Sequence, residues 1–492
     1  MNERKSGLLL HPTSLPGNGF TGTFGNEAEK FIDFLNKSGQ RLWQILPLHP
    51  CGKEGSPYNV SSVFAINPHF INTFRLVRDG LADRKDIPSE KSERCNYKKA
   101  DEYVDSITEK AFARFLTKKN MHADFDGFKE KNLQWLKPYA LYVELSDKFK
   151  THEWNRWPFE YRRYDSGKVN SFYEKEFKRV EKQMFVQWLC FRQWREIKNY
   201  ASQKDVEIVG DMPFFVSDFS CDTWCHPEFF QMENGIKTAC AGVPPDYFSE
   251  KGQLWGNPLY DWKNLAEIGY DWWIKRFKKA VDIYDIVRID HFRGFSACWK
   301  ISPEAEDATA GEWETVPGGE MFSSVKKELP EMAVIAEDLG EITDDVKKLR
   351  DKNGFYGMKI LQFAFNEGAS SSFLPHNYDS SSVVVYTGTH DNETICEWYD
   401  KLDGNTRSFV DKYTENNSKN SIDRAMIRLA EASVADWCIF PVQDILELGS
   451  EARMNIPGTM GKNNWTWRMR EGALRKEHAE MLMEFSNIYG RV

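Results

Sequence analysis

Ile286-Val287-Arg288-Ile289-Asp290-His291-Phe292-Arg293-Gly294 is a short apolar run that ends abruptly in charged residues. Short continuous apolar runs of this kind suit strands buried on both faces of a parallel sheet. The same pattern recurs at Gly7–Leu10, Leu42–Leu46, Val206–Val209, Ala333–Ile335, Met358–Phe363, Val383–Tyr386 and Trp437–Phe440. Helix-like segments separate most of these runs, among them Glu27–Lys37, Trp272–Ala280, Thr343–Lys352 and Ser421–Ala432. Eight strands alternating with helices predict an α/β fold, a (β/α)8 TIM barrel.

One interval breaks the rhythm. About 150 residues, rich in charge and aromatic rings, separate Pro47 from Val206. They contain helical stretches such as Ile107–Lys119 and Glu174–Tyr200. The expected organisation is a barrel from residues 1–49 and 200–492, with 50–199 a mostly helical insertion subdomain after strand 2, packed beside the barrel mouth. Ser302–Gly319 reads as a loop between the fourth and fifth strands.

Composition narrows the class. The chain has 492 residues, 41% of them apolar, enough for a large core. Its net charge of −9 is spread along the chain with no long basic run, which argues against a nucleic-acid partner. The nine cysteines show no metal or disulfide spacing, and Cys221 and Cys225 stand further apart than a C-x-x-C pair. Free thiols, a short leucine run at the N-terminus and the lack of a ~20-residue apolar span predict a cytoplasmic protein that does not enter the membrane. Seventeen tryptophans fit either a large core or exposed platforms on which the C–H faces of sugar rings pack.

In a barrel of this type the chemistry lies at the C-terminal ends of the strands. The sequence places polar residues there repeatedly: His11, His49, Asp211, Arg288, Asp290, Glu337, His390, Asp391, Gln443 and Asp444. Arg288 and Asp290 are two apart on a strand and face the same side. The guanidinium favours an ionised Asp290, able to act as a nucleophile. Glu337 follows a run of small and apolar residues, so desolvation is expected to raise its pKa as a general acid requires. Asp338 competes for that role, but its side chain should point off the mouth. Asp391, beside His390, suits binding of sugar hydroxyls and stabilisation of a cationic transition state, with helix capping as the alternative. Two carboxyls, one ionised and one protonated, are the machinery of glycoside cleavage. Retention or inversion depends on their separation, which the residues alone leave open.

The chain closely resembles the 4-α-glucanotransferases, the amylomaltase and disproportionating-enzyme family of the α-amylase clan. The resemblance runs from Gly7-Leu-Leu-Leu-His-Pro-Thr-Ser-Leu-Pro16 to Asn464-Trp465-Thr-Trp467-Arg468. It rests on Ser56-Pro57-Tyr58, Gly210-Asp211-Met-Pro213, Arg288–Gly294, Ala336–Gly340, Gly388–Asn392 and two longer stretches. One is Ala241-Gly-Val-Pro-Pro-Asp246-Tyr247-Phe248 continuing to Gly252-Gln-Leu-Trp255-Gly256-Asn257-Pro258. The other is Pro441-Val-Gln443-Asp444 continuing to Arg453-Met-Asn455-Ile-Pro457-Gly-Thr459.

The resemblance implies transfer of α-1,4-glucan segments between maltooligosaccharide or amylose chains by a retaining double displacement. Asp290 would be the nucleophile, Glu337 the acid/base and Asp391 the transition-state stabiliser, with neither cofactor nor metal. Arg288, His291 and His390 match positions that contact the donor sugar. Tyr58, Asp211, Asp246, Tyr247, Phe248, Trp255 and Asn257 are further sugar-binding candidates. Tyr58 is expected on a platform away from the scission point, with Tyr97 as a weaker partner, and the 244–258 stretch is expected to arch over the cleft. The resemblance also implies no C-terminal β-sandwich domain. The rival readings are an α-glucan hydrolase using the same carboxylates, a glucan-binding protein, and a metal-dependent barrel enzyme.

Overall fold

Each of the eight apolar runs forms a strand: β1 Lys5–Leu9, β2 Leu42–Gln44, β3 Glu207–Met212, β4 Ile286–Ile289, β5 Ala333–Ala336, β6 Gly357–Ile360, β7 Val383–Tyr386 and β8 Trp437–Pro441. The computed structural model describes residues 3–52, 54–245, 249–416, 421–461 and 463–492. The eight strands lie in one parallel sheet in the order β5-β4-β3-β2-β1-β8-β7-β6. The two ends of that order meet. Ala336 N–H donates to Tyr356 O at 2.8 Å and Tyr356 N–H donates to Val334 O at 3.0 Å, joining β5 to the residue just ahead of β6. The result is a closed TIM barrel.

The strands read as continuous apolar runs because their outer faces are covered. In the helix Asn26–Lys37, Ala28, Phe31, Ile32 and Leu35 form one buried stripe at helical spacing, with Glu27 and Glu29 in the first turn and Lys37 in the last. Alternation along β3 separates two jobs. A Cβ added to Gly210 would come within 2.0 Å of the Tyr284 ring on the outer face, so the next residue, Asp211, points into the barrel. The lumen below the mouth is polar as well as packed: Tyr386 Oη donates to Gln44 Oε1 at 2.8 Å, both side chains being buried.

The segment between β2 and β3 is helical, with Tyr97–Phe115, Lys119–Phe149 and Phe177–Gln203 its main helices. Phe177–Gln203 packs along Lys119–Phe149 and also against the helix Asn26–Lys37 and β3, so it runs from the inserted segment into the ring around the barrel. The 199/200 division therefore falls inside one continuous helix. Two glutamines on it behave as strand mimics. Gln187 pairs with both the N–H and the C=O of Ile66 at 2.9 Å, and Gln193 does the same for Asn72 at 2.7 and 3.3 Å. These bonds fix the chain that follows Tyr58.

A second sheet was not legible in advance. Cys240–Val243, Gln253–Pro258, Ala297–Ile301 and Gly311–Thr315 form four antiparallel strands beside the mouth. Ser302–Gly319 is thus not a simple loop: it contains Gly311–Thr315, paired with Ala297–Ile301 in a hairpin. After β8 the chain ends in the helix Lys476–Tyr489 and a buried Arg491, whose guanidinium donates to Asp436 O at 3.0 Å and Lys5 O at 3.3 Å. Among the described residues no helix is long and apolar enough to cross a membrane.

Candidate active site

The backbone ladder carries Asp290 and Glu337 to adjacent positions at the mouth. Asp290 N–H donates to Met212 O at 3.1 Å, and Glu337 N–H donates to Ile289 O at 3.0 Å. Each residue therefore extends its strand by one step beside its neighbour. His291 turns the chain sharply, in the left-handed region at φ 49°, a conformation held only where surrounding structure enforces it. The enforcing bond is functional in placement: His291 N–H donates to Glu337 Oε2 at 2.7 Å.

Arg288 lies beneath the two acids. Its Nη1 is 2.7 Å from both oxygens of Asp211 and 3.1 Å from Asp290 Oδ1. Asp211 is fully buried and also accepts from Tyr58 Oη at 2.7 Å. Arg288 draws the Asp290 carboxyl toward its ionised form but does not prevail over burial. Burial pushes the Asp290 carboxyl up to about 6; Arg288 opposes this, while Asp211 and Asp391 reinforce it. Burial is the larger effect, and the guanidinium that opposes it is shared with Asp211. Asp290 still carries its charge at neutral pH.

Glu337 behaves as the sequence suggested. Burial raises it to about 8, with Arg288 and the His291 N–H opposing and Asp290 adding to the rise, so it is mainly protonated at neutral pH. Asp338 is turned away from the mouth: it accepts from Met358 N–H at 2.7 Å and pairs with Arg350. Asp391 is the low carboxyl of the set. Burial works to raise it, but His390, the Asn455 amide and Arg288 outweigh burial and hold it at about 2. Asn455 Nδ2 donates to Asp391 Oδ1 at 2.6 Å, and His390 Nε2 lies 3.3 Å from Oδ2. Asp391 caps no helix, because Thr394 caps Ile395–Lys401.

The remaining candidates divide. Tyr58 is not on a separate platform. Its hydroxyl bridges Asp211 and His390 Nε2 (2.9 Å), and its ring stacks on His390 at 5.3 Å. Tyr97 is a core residue whose hydroxyl donates to Trp465 O at 2.5 Å. Trp255 stands on the second sheet, 38% exposed, with its ring edge-on to His291 at 4.8 Å. Burial keeps His291 near 4 and so uncharged. Asn257 donates to Val216 O at 2.7 Å, tying that sheet to the chain after β3. Asp246, Tyr247 and Phe248 lie outside the described residues. Among the described residues no group of three or more His, Cys, Asp and Glu side chains is placed to hold a metal.

Sequence reasoning gave no role to Asn455 and Arg453. Arg453 Nη2 donates to Asp391 O at 3.0 Å, so both residues grip the third acid from a segment more than 60 positions further along the chain. They sit in the Arg453–Thr459 stretch, but nothing local to them signals Asp391 as the partner.

Comparison with known proteins agrees with this geometry. The profile of the 4-alpha-glucanotransferase family matches residues 10–474. The 4-alpha-glucanotransferase of Streptococcus pneumoniae is 42% identical over 500 residues, covering 100% of this chain and 98% of that one. That of Thermus thermophilus is 42% identical over 488 residues, 97% of each chain. The amylomaltase from Streptococcus agalactiae in complex with acarbose superimposes with a TM-score of 0.96 at 35% identity, over 99% of this chain and 100% of that one. A barrel with three acids at the ends of β4, β5 and β7, and full-length likeness at this level, leave one assignment: the chain belongs to the 4-alpha-glucanotransferase family and is an enzyme of glycosyl transfer.

Proposed function

We propose that the enzyme transfers α-1,4-glucan segments from one maltooligosaccharide or amylose chain to another by a retaining double displacement. Asp290 attacks the anomeric carbon while Glu337 protonates the departing glycosidic oxygen. The leaving chain departs with the Glu337 proton, and a glycosyl ester forms on Asp290. Glu337, now a carboxylate, takes the proton of an incoming sugar 4-hydroxyl, whose oxygen opens the ester and restores the starting state. Asp391, fully charged, stabilises the positive charge that develops on the sugar ring. Arg288, Tyr58, His291 and His390 line the donor sugar, and no metal or cofactor takes part.

The observation that carries this reading is the placement of three acids at strand ends around one mouth. Asp290 lies 3.1 Å from Arg288, Glu337 is held by the His291 N–H at 2.7 Å, and Asp391 is held by Asn455 at 2.6 Å. Burial raises Glu337 above Asp290, and against burial His390 and Asn455 keep Asp391 low. That order gives an anion, a nucleophile and an acid at the same neutral pH. The likeness to relatives bearing the same activity supports transfer over hydrolysis. A cytoplasmic setting fits an enzyme of free glucan chains. The test is incubation with maltotriose alone. A ladder of longer oligomers with glucose is expected; shorter products alone would make the enzyme a hydrolase with the same carboxylates.

A further inference from the structure

His390 has one ring nitrogen in the acid network and one outside it. Nε2 lies 2.9 Å from Tyr58 Oη and 3.3 Å from Asp391 Oδ2. The single Tyr58 hydroxyl proton is directed to Asp211 Oδ2, so none is left for Tyr58 to give to His390. Nε2 must therefore be the donor, and in neutral His390 the Nδ1 lone pair needs a donor of its own.

Nδ1 is buried and has no partner among the described residues, and the same is true of Nδ1 of His11, just beyond β1. Both histidines are 6% exposed and border one small cavity of about 30 Å³ between the ends of β1, β7 and β8. The other polar groups around it are engaged. Ser14 Oγ donates to Trp467 O at 2.8 Å, and Asp444 accepts from Thr387 Oγ1 at 2.7 Å and Ile395 N–H at 3.0 Å. Among the described residues, the two histidine Nδ1 atoms are the buried side-chain polar atoms of this wall without partners. A water centre needs roughly 10–15 Å³, so the space these two residues line suits one or two waters.

We propose that His11 is a positioning residue for the reaction. Its Nδ1–H, through water in this cavity, satisfies Nδ1 of His390 and so fixes the His390 tautomer whose Nε2–H faces Asp391 and Tyr58. His11 suits the task because it carries a single ring proton: burial, and then the neighbouring His390, hold it near 3, so it stays neutral. The consequence is a donor aimed at the acid network on every turnover, without a fluctuating charge beneath it. This inference rests on the catalytic reading above only for its kinetic arm.

The spectroscopic arm uses the full-length protein labelled with 15N-histidine, with the His390 signals assigned through His390→Gln. In its neutral form His390 is expected with a bare Nδ1 and a protonated Nε2, a preference weakened in His11→Phe. A proton on Nδ1 in the parent protein, or an unchanged tautomer in His11→Phe, overturns the proposal. The kinetic arm compares three variants on maltotriose. His11→Asn keeps an amide N–H near the place of Nδ1 and should retain most of kcat. His11→Gln puts its amide near Nε2 and His11→Phe has none, so both should lose on the order of tenfold in kcat with little change in KM. Full activity in His11→Phe would mean that the ring only packs against Phe70. Rescue by Gln but not Asn, or a loss in KM alone, would mean a direct contact with sugar. Either result overturns the proposal, and both can be read whether glucose arises by transfer or by hydrolysis.

Discussion

Arg288 Nη1 lies 2.7 Å from each oxygen of Asp211, closer than it lies to Asp290. The cation beneath the proposed nucleophile is thus partly neutralised before any substrate arrives. Burial raises the Asp290 pKa, and a shared guanidinium opposes that rise less than an unshared one would. The charge left on Asp290 is less strongly held, which favours attack on carbon.

Asp211→Asn should undo that arrangement. Removing the anion frees Arg288 for Asp290 and removes one of the charges pushing Asp290 up. The acid limb of kcat/KM should move down from about 6, by roughly one unit, while the maximum rate falls because a better-held carboxylate is a poorer nucleophile. A pH profile of kcat/KM on maltotriose reads this directly. An acid limb that stays in place would show that Asp211 does not tune Asp290.

The parent enzyme needs Asp290 ionised and Glu337 protonated together. Its kcat/KM should follow a bell with limbs near 6 and 8; both limbs belong to the coupled pair. Glu337→Gln should abolish the basic limb and nearly all activity on maltotriose, yet still glycosylate slowly with an activated donor whose leaving group needs no proton. Asp290→Asn should be inactive on both donors. Activity of Asp290→Asn on the activated donor would reverse the assignment of the two acids.

Stability should vary with pH in the opposite sense to that of an ordinary salt-bridged carboxylate. Glu337 rises from 4.5 to about 8 on folding. The stability from its neutral form is therefore complete below the unfolded value and is lost as pH rises through the folded one. Glu337→Gln keeps a neutral side chain and an acceptor for the His291 N–H. Its melting temperature should match that of the parent near about pH 5 and exceed it by roughly 1–3 °C near about pH 9. Calorimetry at the two pH values checks this, and equal melting temperatures at the higher pH would mean that Glu337 is not held protonated by the fold.

Trp255 meets His291 edge-on from the second sheet, so its ring stands as apolar cover beside the acids. A glycosyl ester can be opened by water or by sugar, so this cover favours sugar by leaving water poorly placed. Trp255→Ala should raise the ratio of hydrolysis to transfer, by roughly two- to tenfold. Free reducing ends measured against released glucose on maltotriose give that ratio, and an unchanged value in a folded, active variant would remove Trp255 from water exclusion.

The barrel was legible because burial on both faces leaves a simple mark. The run Val383–Tyr386 is three valines and a tyrosine with no charged residue, and it ends where the chemistry begins. Glu337 was legible for the same reason, since the run before it predicts a dry carboxyl. Gln253–Pro258 and Gly311–Thr315 are exposed along much of their length and hold glycine or proline, so neither leaves the apolar mark of a buried strand, although each pairs with a strand close by in the chain. The sequence also hid pairing at a distance. Tyr58 looked peripheral because nothing near it in sequence points to Asp211 or His390. The rise of Asp290 was not legible because its burial is set by neighbouring strands, and Asp211, which shares the guanidinium, comes from another strand.

The pairing of β1 with β8 sets the timetable of folding during synthesis. Lys5 faces Trp437 across that seam, so β1, once it has left the ribosome, waits with one edge unpaired until roughly 400 further residues have been made. At roughly 5–20 residues per second that is a wait of tens of seconds with an apolar strand edge open. Closure of the barrel, and with it the meeting of His11 with His390, is therefore among the last events in the making of the molecule. An arrested chain that has passed β5 already carries Asp290 and Glu337, but it has neither the last strand nor the Asn455 that holds Asp391.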